Sequence, residues 1–172
     1  MPTLKEIEEY KAPRWEKLPD IELYMDQVLV VLDKQLSIFK KDKDEKIITS
    51  AMINNYVKQK ITLPPVNKKY TRHHLAYLYA VCALKSIMGL SDICMGIGSL
   101  LEGRHTAEVF DMFCEELDFA LSKAFFDDDT PLPPADTKES KLLRAVTSAC
   151  ANVLYSRYLV EAMTAKEQGD GE

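Results

Sequence analysis

The stretch from Lys46 to Ile93, KIITSAMINNYVKQKITLPPVNKKYTRHHLAYLYAVCALKSIMGLSDI, constrains this chain more than any other, because helix starts and stops follow one another closely in it. Thr49 or Ser50 is a natural N-cap. Pro64-Pro65 forbids a helix much beyond Lys60 and biases Leu63 to an extended backbone. Asn67, Lys68 and Lys69 then make a compact basic turn. Thr71 caps a further helix whose Leu75, Leu78, Cys82 and Met88 share a face, widened by Val81, Leu84 and Ile87 and stopped by Gly89. Short capped helix, proline-marked basic turn and second capped helix are the order of a helix-turn-helix with a short wing. At about 100° per residue, Met52, Ile53, Tyr56 and Val57 fall on one side of the short helix and Ala51, Asn54, Asn55 and Lys58 on the other. One side packs; the other is free to meet a ligand.

The flanking sequence reads as helices throughout. Pro19-Asp20 is expected to open a long first helix with Asp20 as N-cap and Ile21, Met25, Val28, Leu32, Leu36 and Phe39 as its core stripe. Before it, residues 1–18 read as a short acidic helix and a connector, with Trp15 plugging the side of the core. KKDKDEK at 40–46 reads as a polar linker. Ser91 caps a helix to about Leu101 in which Gly96 and Gly98 imply bending or close packing. Helices over roughly 105–126 and 138–166 complete the pattern, separated by the surface loop DDDTPLPPAD. The expected fold class is all-α, a winged helix-turn-helix head over 19–103 with a C-terminal helical region over 104–172.

The length and the 47% hydrophobic content support a buried core, and no apolar run approaches the roughly 20 residues that span a bilayer. The acidic opening MPTLKEIEEYK has no apolar run before a cleavage site, which predicts no secretory signal and a cytoplasmic protein. Cys82, Cys94, Cys114 and Cys150 are far apart and lack metal-ligand spacing, so they read as small buried hydrophobes, and the adjacent His73 and His74 point apart on a helix. With no G-x-S-x-G, no phosphate-cradling glycine loop and no H-E-x-x-H, the sequence points to no catalytic residue, metal or cofactor.

The net charge is −5, yet between Lys40 and Arg72 nine basic residues (Lys40, Lys41, Lys43, Lys46, Lys58, Lys60, Lys68, Lys69 and Arg72) face only Asp42, Asp44 and Glu45. That segment is at +6, leaving −11 for the remainder. A basic patch on an acidic body suits contact with phosphates at one place and repulsion elsewhere. Asparagine pairs well with adenine in the major groove, lysine with guanine or phosphate, and alanine with a thymine methyl. Ala51, Asn54, Asn55 and Lys58 are therefore the expected base-reading set.

TSAMINNYVKQKITLPP followed by KKYTRHHLAYLYAVCALKSIMGLSDI resembles the DNA-binding head of MerR-type regulators. Tyr56, Pro64-Pro65, Lys69-Tyr70, Leu75, Leu78, Leu84 and Leu90-Ser91-Asp92-Ile93 carry the resemblance. It implies that the basic and aromatic residues of the wing, Lys68, Lys69 and Tyr70, grip backbone phosphates of double-stranded DNA, and the basic segment adds Lys46, Lys60 and Arg72 as expected phosphate contacts. RWEKLPDIELYMDQV joined to ITSAMINNYVKQK is also similar to a bacterial family of domains of unknown function. A homodimer is expected through the last two helices, which offer Phe110, Phe113, Leu117, Phe125, Phe126, Leu154, Tyr155, Tyr158, Leu159 and Met163. Two other readings stay open: an interaction module docking an acidic protein with the same helix and wing, and a sensor whose last two helices enclose a small apolar molecule.

Overall fold

The computed structural model describes the backbone of residues 1–42 and 44–169, with side chains through residue 164. Lys43, part of the basic balance, and residues 170–172, the end of the expected C-terminal region, lie outside the described residues. Within them the chain is all-helical: α1 (Leu4–Glu9), α2 (Met25–Gln35), α3 (Ser50–Lys58), α4 (Arg72–Leu84), α5 (Leu90–Leu101), α6 (Thr106–Phe126) and α7 (Lys138–Gly169), with 3-10 turns at Trp15–Lys17 and Ser37–Phe39. No strand forms among the described residues. Two isolated β-bridges join Leu23 to Tyr70 and Val66 to Lys69.

Helix α4 is the hub because it is apolar nearly all round. Leu75, Leu78, Tyr79 and Val81 are fully buried, and a helix with that much apolar surface must be covered on several sides. α2 packs on it and α3 on α2, while α5, α6 and α7 supply the rest of the cover. One continuous core runs from Ile7 to Leu154, so the described parts of 1–18, 19–103 and 104–172 share it.

The N-terminal connector is fastened to α6 by charged side chains. Ala12 N–H and the Arg14 guanidinium both donate to Asp118 at 2.8 Å, and Trp15 N–H donates to Asp111 at 2.6 Å. Trp15 then lies edge-on to Phe110, with ring centroids 6.4 Å apart.

The expected helix from Asp20 to Phe39 is shorter at both ends. Leu23 exchanges both backbone hydrogen bonds with Tyr70, at 2.9 and 2.8 Å, which fixes the chain as extended where a helix was expected. The helix starts at Met25, with Tyr24 N–H capped by Gln27 at 2.9 Å. Ile21 is consequently exposed, and Asp20 faces Arg72 instead of capping a helix. At the other end Ile38 and Phe39 reach the core from a 3-10 turn. The polar linker is also anchored: Ile47 and Ile48 are buried, and the Lys85 ammonium donates to the Ile47 carbonyl.

The aromatic surface expected on the last two helices is partly consumed internally. Phe110, Phe113, Leu117 and Leu154 are buried, with Phe110 and Phe113 edge-on to Tyr79 of α4. Phe125, Tyr155 and Tyr158 cluster among themselves, with Phe125 to Tyr155 centroids 5.1 Å apart. Phe126, Leu159, Val160 and Met163 remain exposed. No helix among the described residues is long and apolar enough to cross a membrane.

Candidate nucleic-acid interface

Helix α3 starts where its sequence demands. Thr49 is the N-cap, its hydroxyl accepting from Met52 N–H at 3.2 Å. Ile53 and Tyr56 are buried, Met52 and Val57 half-buried, and Ala51, Asn54, Asn55 and Lys58 exposed. The two faces are those the periodicity predicts. Asn55 is not idle: its side-chain oxygen accepts from Gln59 Nε2 at 3.2 Å, a solvent-facing bond that a base would have to replace.

The helix ends at Lys58, well before the prolines. Lys60 N–H donates to the Val57 carbonyl at 3.1 Å and Ile61 N–H to the Tyr56 carbonyl at 2.8 Å, a Schellman arrangement. It requires a left-handed residue, and Lys60 takes that role at φ 58°. The chain then reverses at Asn67-Lys68. Both residues have positive φ, 51° and 63°, and Val66 and Lys69 exchange hydrogen bonds at 3.1 and 2.9 Å across the two-residue turn.

The basic residues divide into two groups. Lys46, Lys58, Lys60 and Lys68 are exposed, with no ion-pair partner among the described residues. Lys69 and Arg72 are already partnered: Lys69 Nζ lies 3.1 Å from Glu22 and over the Tyr24 ring, while Arg72 lies 3.7 Å from Glu16 and 3.4 Å from Asp20, over the Trp15 ring. Its side chain is only 12% exposed and its Nε is buried without a hydrogen-bond partner. Tyr70 does not belong with them. At 2% exposure, with its ring edge-on to His74, it presents no surface to a phosphate in this conformation. The bridge that pairs it to Leu23 turns its side chain into the core.

His74, on the first turn of α4, ties the turn to the helix. Its Nδ1 accepts from Thr71 N–H at 3.0 Å, doing the work that glutamate does in the usual capping box. Nδ1 must then be unprotonated, and Nε2 faces the Leu63 and Pro64 carbonyls without a well-formed hydrogen bond. Burial pushes the pKa of His74 below its ordinary value, outweighing those carbonyls. Above the unfolded-state pKa both states are neutral and the stabilisation is complete; it is lost as pH falls through the lower folded-state pKa, because only the unfolded chain binds the proton readily. Urea denaturation should therefore show wild type losing stability between about pH 7.5 and pH 5 more steeply than His74→Gln, which keeps a capping acceptor but does not titrate. Parallel profiles would remove His74 as the source.

The cysteines are free, and Cys82, Cys114 and Cys150 are buried. Burial pushes the Cys82 thiol up to about 11 and Cys150 up to about 12. Among the described residues no cluster of His, Cys, Asp and Glu is arranged to hold a metal ion.

Residues 13–113 match the model of a family described as a domain of unknown function (DUF1836). The match spans more than half of the chain, from the connector that carries Trp15 to the middle of α6, and the chain belongs to that family. No curated protein and no solved structure matches it.

Proposed function

We propose that the chain is a DNA-binding transcription regulator of the cytoplasm, in which residues 19–103 act as a MerR-like winged helix-turn-helix head and α3 enters the major groove. The observation that carries this reading is the exposed face Ala51, Asn54, Asn55 and Lys58 on a helix held from behind by buried Ile53 and Tyr56. The tight Asn67-Lys68 turn supplies a minimal wing. Asn54 is the leading base reader, since Asn55 already accepts from Gln59. Lys46, Lys58, Lys60 and Lys68 are the leading phosphate contacts. Lys69 and Arg72 join only when a phosphate displaces Glu22, Asp20 and Glu16, all of them exposed acids that water screens. A homodimer would bring two such heads to one duplex and multiply a weak single contact.

Duplex binding measured across a range of salt concentrations tests the reading. Lys58→Ala and Lys68→Ala should each weaken binding to all sequences and flatten the salt slope by roughly one unit. Joint Glu16→Gln, Asp20→Asn and Glu22→Gln substitution should tighten binding by freeing Arg72 and Lys69. Duplex affinity independent of salt and of these residues would discard the proposal.

A second reading has its own support. Tyr24 and Val66, beside Lys69, are 54% and 65% exposed, as large apolar side chains on a protein-docking surface are. An interaction module would then use the wing to bind an acidic partner, and Tyr24→Ser with Val66→Ser would abolish that binding while leaving duplex affinity unchanged.

A further inference from the structure

Away from α3, the helices α4, α5, α6 and α7 surround an apolar cavity of about 70 Å³. Of its lining residues Leu84, Leu100, Phe113 and Leu143 are buried, Thr106 is half-buried and Asp92 is exposed. Tyr77 also lines it, but its hydroxyl donates to Cys94 Sγ at 3.3 Å and is not left to recruit water. The space is therefore ill suited to ordered water, which needs several polar partners, and well suited to an apolar guest.

Small residues keep the space open. Ala76 and Ala80 on α4 and Gly96 on α5 all line it. Crowding does not impose glycine at position 96: an added Cβ would meet only the Leu142 Cδ2 atom, at 3.5 Å, an ordinary contact. Nor does a left-handed backbone impose it, because Gly103 is the only glycine with positive φ among the described residues. A glycine inside a helix weakens that helix, and an empty cavity loses packing energy in proportion to its volume. Larger side chains at these three positions would remove both costs, and the sequence does not use them. The remaining wall is the easiest to displace: α5 buries only Ile93 and Leu100 and leaves Met95 62% exposed.

We propose that this cavity is a binding site for a compact, uncharged apolar small molecule, a short branched alkyl compound or, with α5 displaced outward, a single-ring one. The site lies apart from the exposed face of α3 and stands whether or not that face reads DNA.

Toluene and xenon serve as probes on the full chain. The thermal midpoint should rise progressively with toluene concentration, and dissolved xenon should show a saturable bound ¹²⁹Xe shift. Methyl resonances of Leu100 and Leu142 should move, while those of Met163 stay still. Ala80→Leu fills the cavity and should weaken both probes by at least about tenfold. Gly96→Leu fills it from α5 and gives the same reading should Ala80→Leu fail to fold. Unchanged toluene and xenon responses in a folded, filled variant, or no response in wild type, would overturn the proposal.

Discussion

Truncating Tyr56 to alanine is expected to destabilise the protein by about 3–5 kcal/mol, the range for removing a buried aromatic from a core that relaxes only in part. Tyr56 is 4% exposed, and it sits in the last turn of α3, where its carbonyl also accepts the Ile61 N–H that stops the helix. Asn54→Ala, two residues earlier on the exposed face, should change stability by no more than about 0.5 kcal/mol. The two variants separate packing from recognition. If α3 lies in the major groove, Asn54→Ala also relaxes discrimination at one base pair by about 1–3 kcal/mol, and Tyr56→Ala weakens binding only in proportion to the unfolded fraction. Denaturation midpoints and competition binding on the same preparations decide it. A silent Tyr56→Ala beside an unfolded Asn54→Ala would mean that the buried and exposed faces had been exchanged.

The faces of α3 were legible because cap, period and length agree within nine residues, and no distant partner is needed to choose between them. Thr71 as a cap was legible for the same reason. The start of α2 was not. Residues 20–24 fit a helical stripe, and what makes them extended is Tyr70, whose backbone lies 47 residues away in sequence from the Leu23 it pairs with. The stop of α3 was hidden differently, since a Schellman turn is announced by glycine and here Lys60 adopts the left-handed conformation.

Charge counting found the basic segment but not its partners. Glu16, Asp20 and Glu22 neutralise Arg72 and Lys69 from a connector that the linear balance places outside that segment. The C-terminal aromatics were read as too much surface for a two-helix hairpin and hence as a dimer face. Their cover proved to be partly intramolecular, because α4 brings Tyr79 against Phe110 and Phe113. Phe126, Leu159, Val160 and Met163 are what remains exposed on these two helices.

Tyr79 is also where the second large effect is expected. It is fully buried, and its hydroxyl lies 2.5 Å from that of Tyr10, which itself lies 3.1 Å from the Gln35 carbonyl. A carbonyl can only accept, so Tyr10 donates to Gln35 and Tyr79 donates to Tyr10. Burial raises both phenols well above their ordinary pKa, keeping the relay protonated throughout the neutral range. Three segments distant in sequence, the end of α1, the end of α2 and the middle of α4, thus meet at one polar chain inside an apolar core. Tyr79→Ala should cost about 3–5 kcal/mol by emptying the space against Phe110 and Phe113. Tyr79→Phe keeps the ring and should cost about 0.5–1.5 kcal/mol, the net worth of one hydrogen bond. Tyr10→Phe should cost more than that, because it leaves both the Gln35 carbonyl and the Tyr79 hydroxyl without this partner. Combining the two phenylalanine variants should be less damaging than the sum of the singles, since the second substitution removes a group that the first had already stranded. Strict additivity in a double-mutant cycle by urea denaturation would show that the two hydroxyls do not interact.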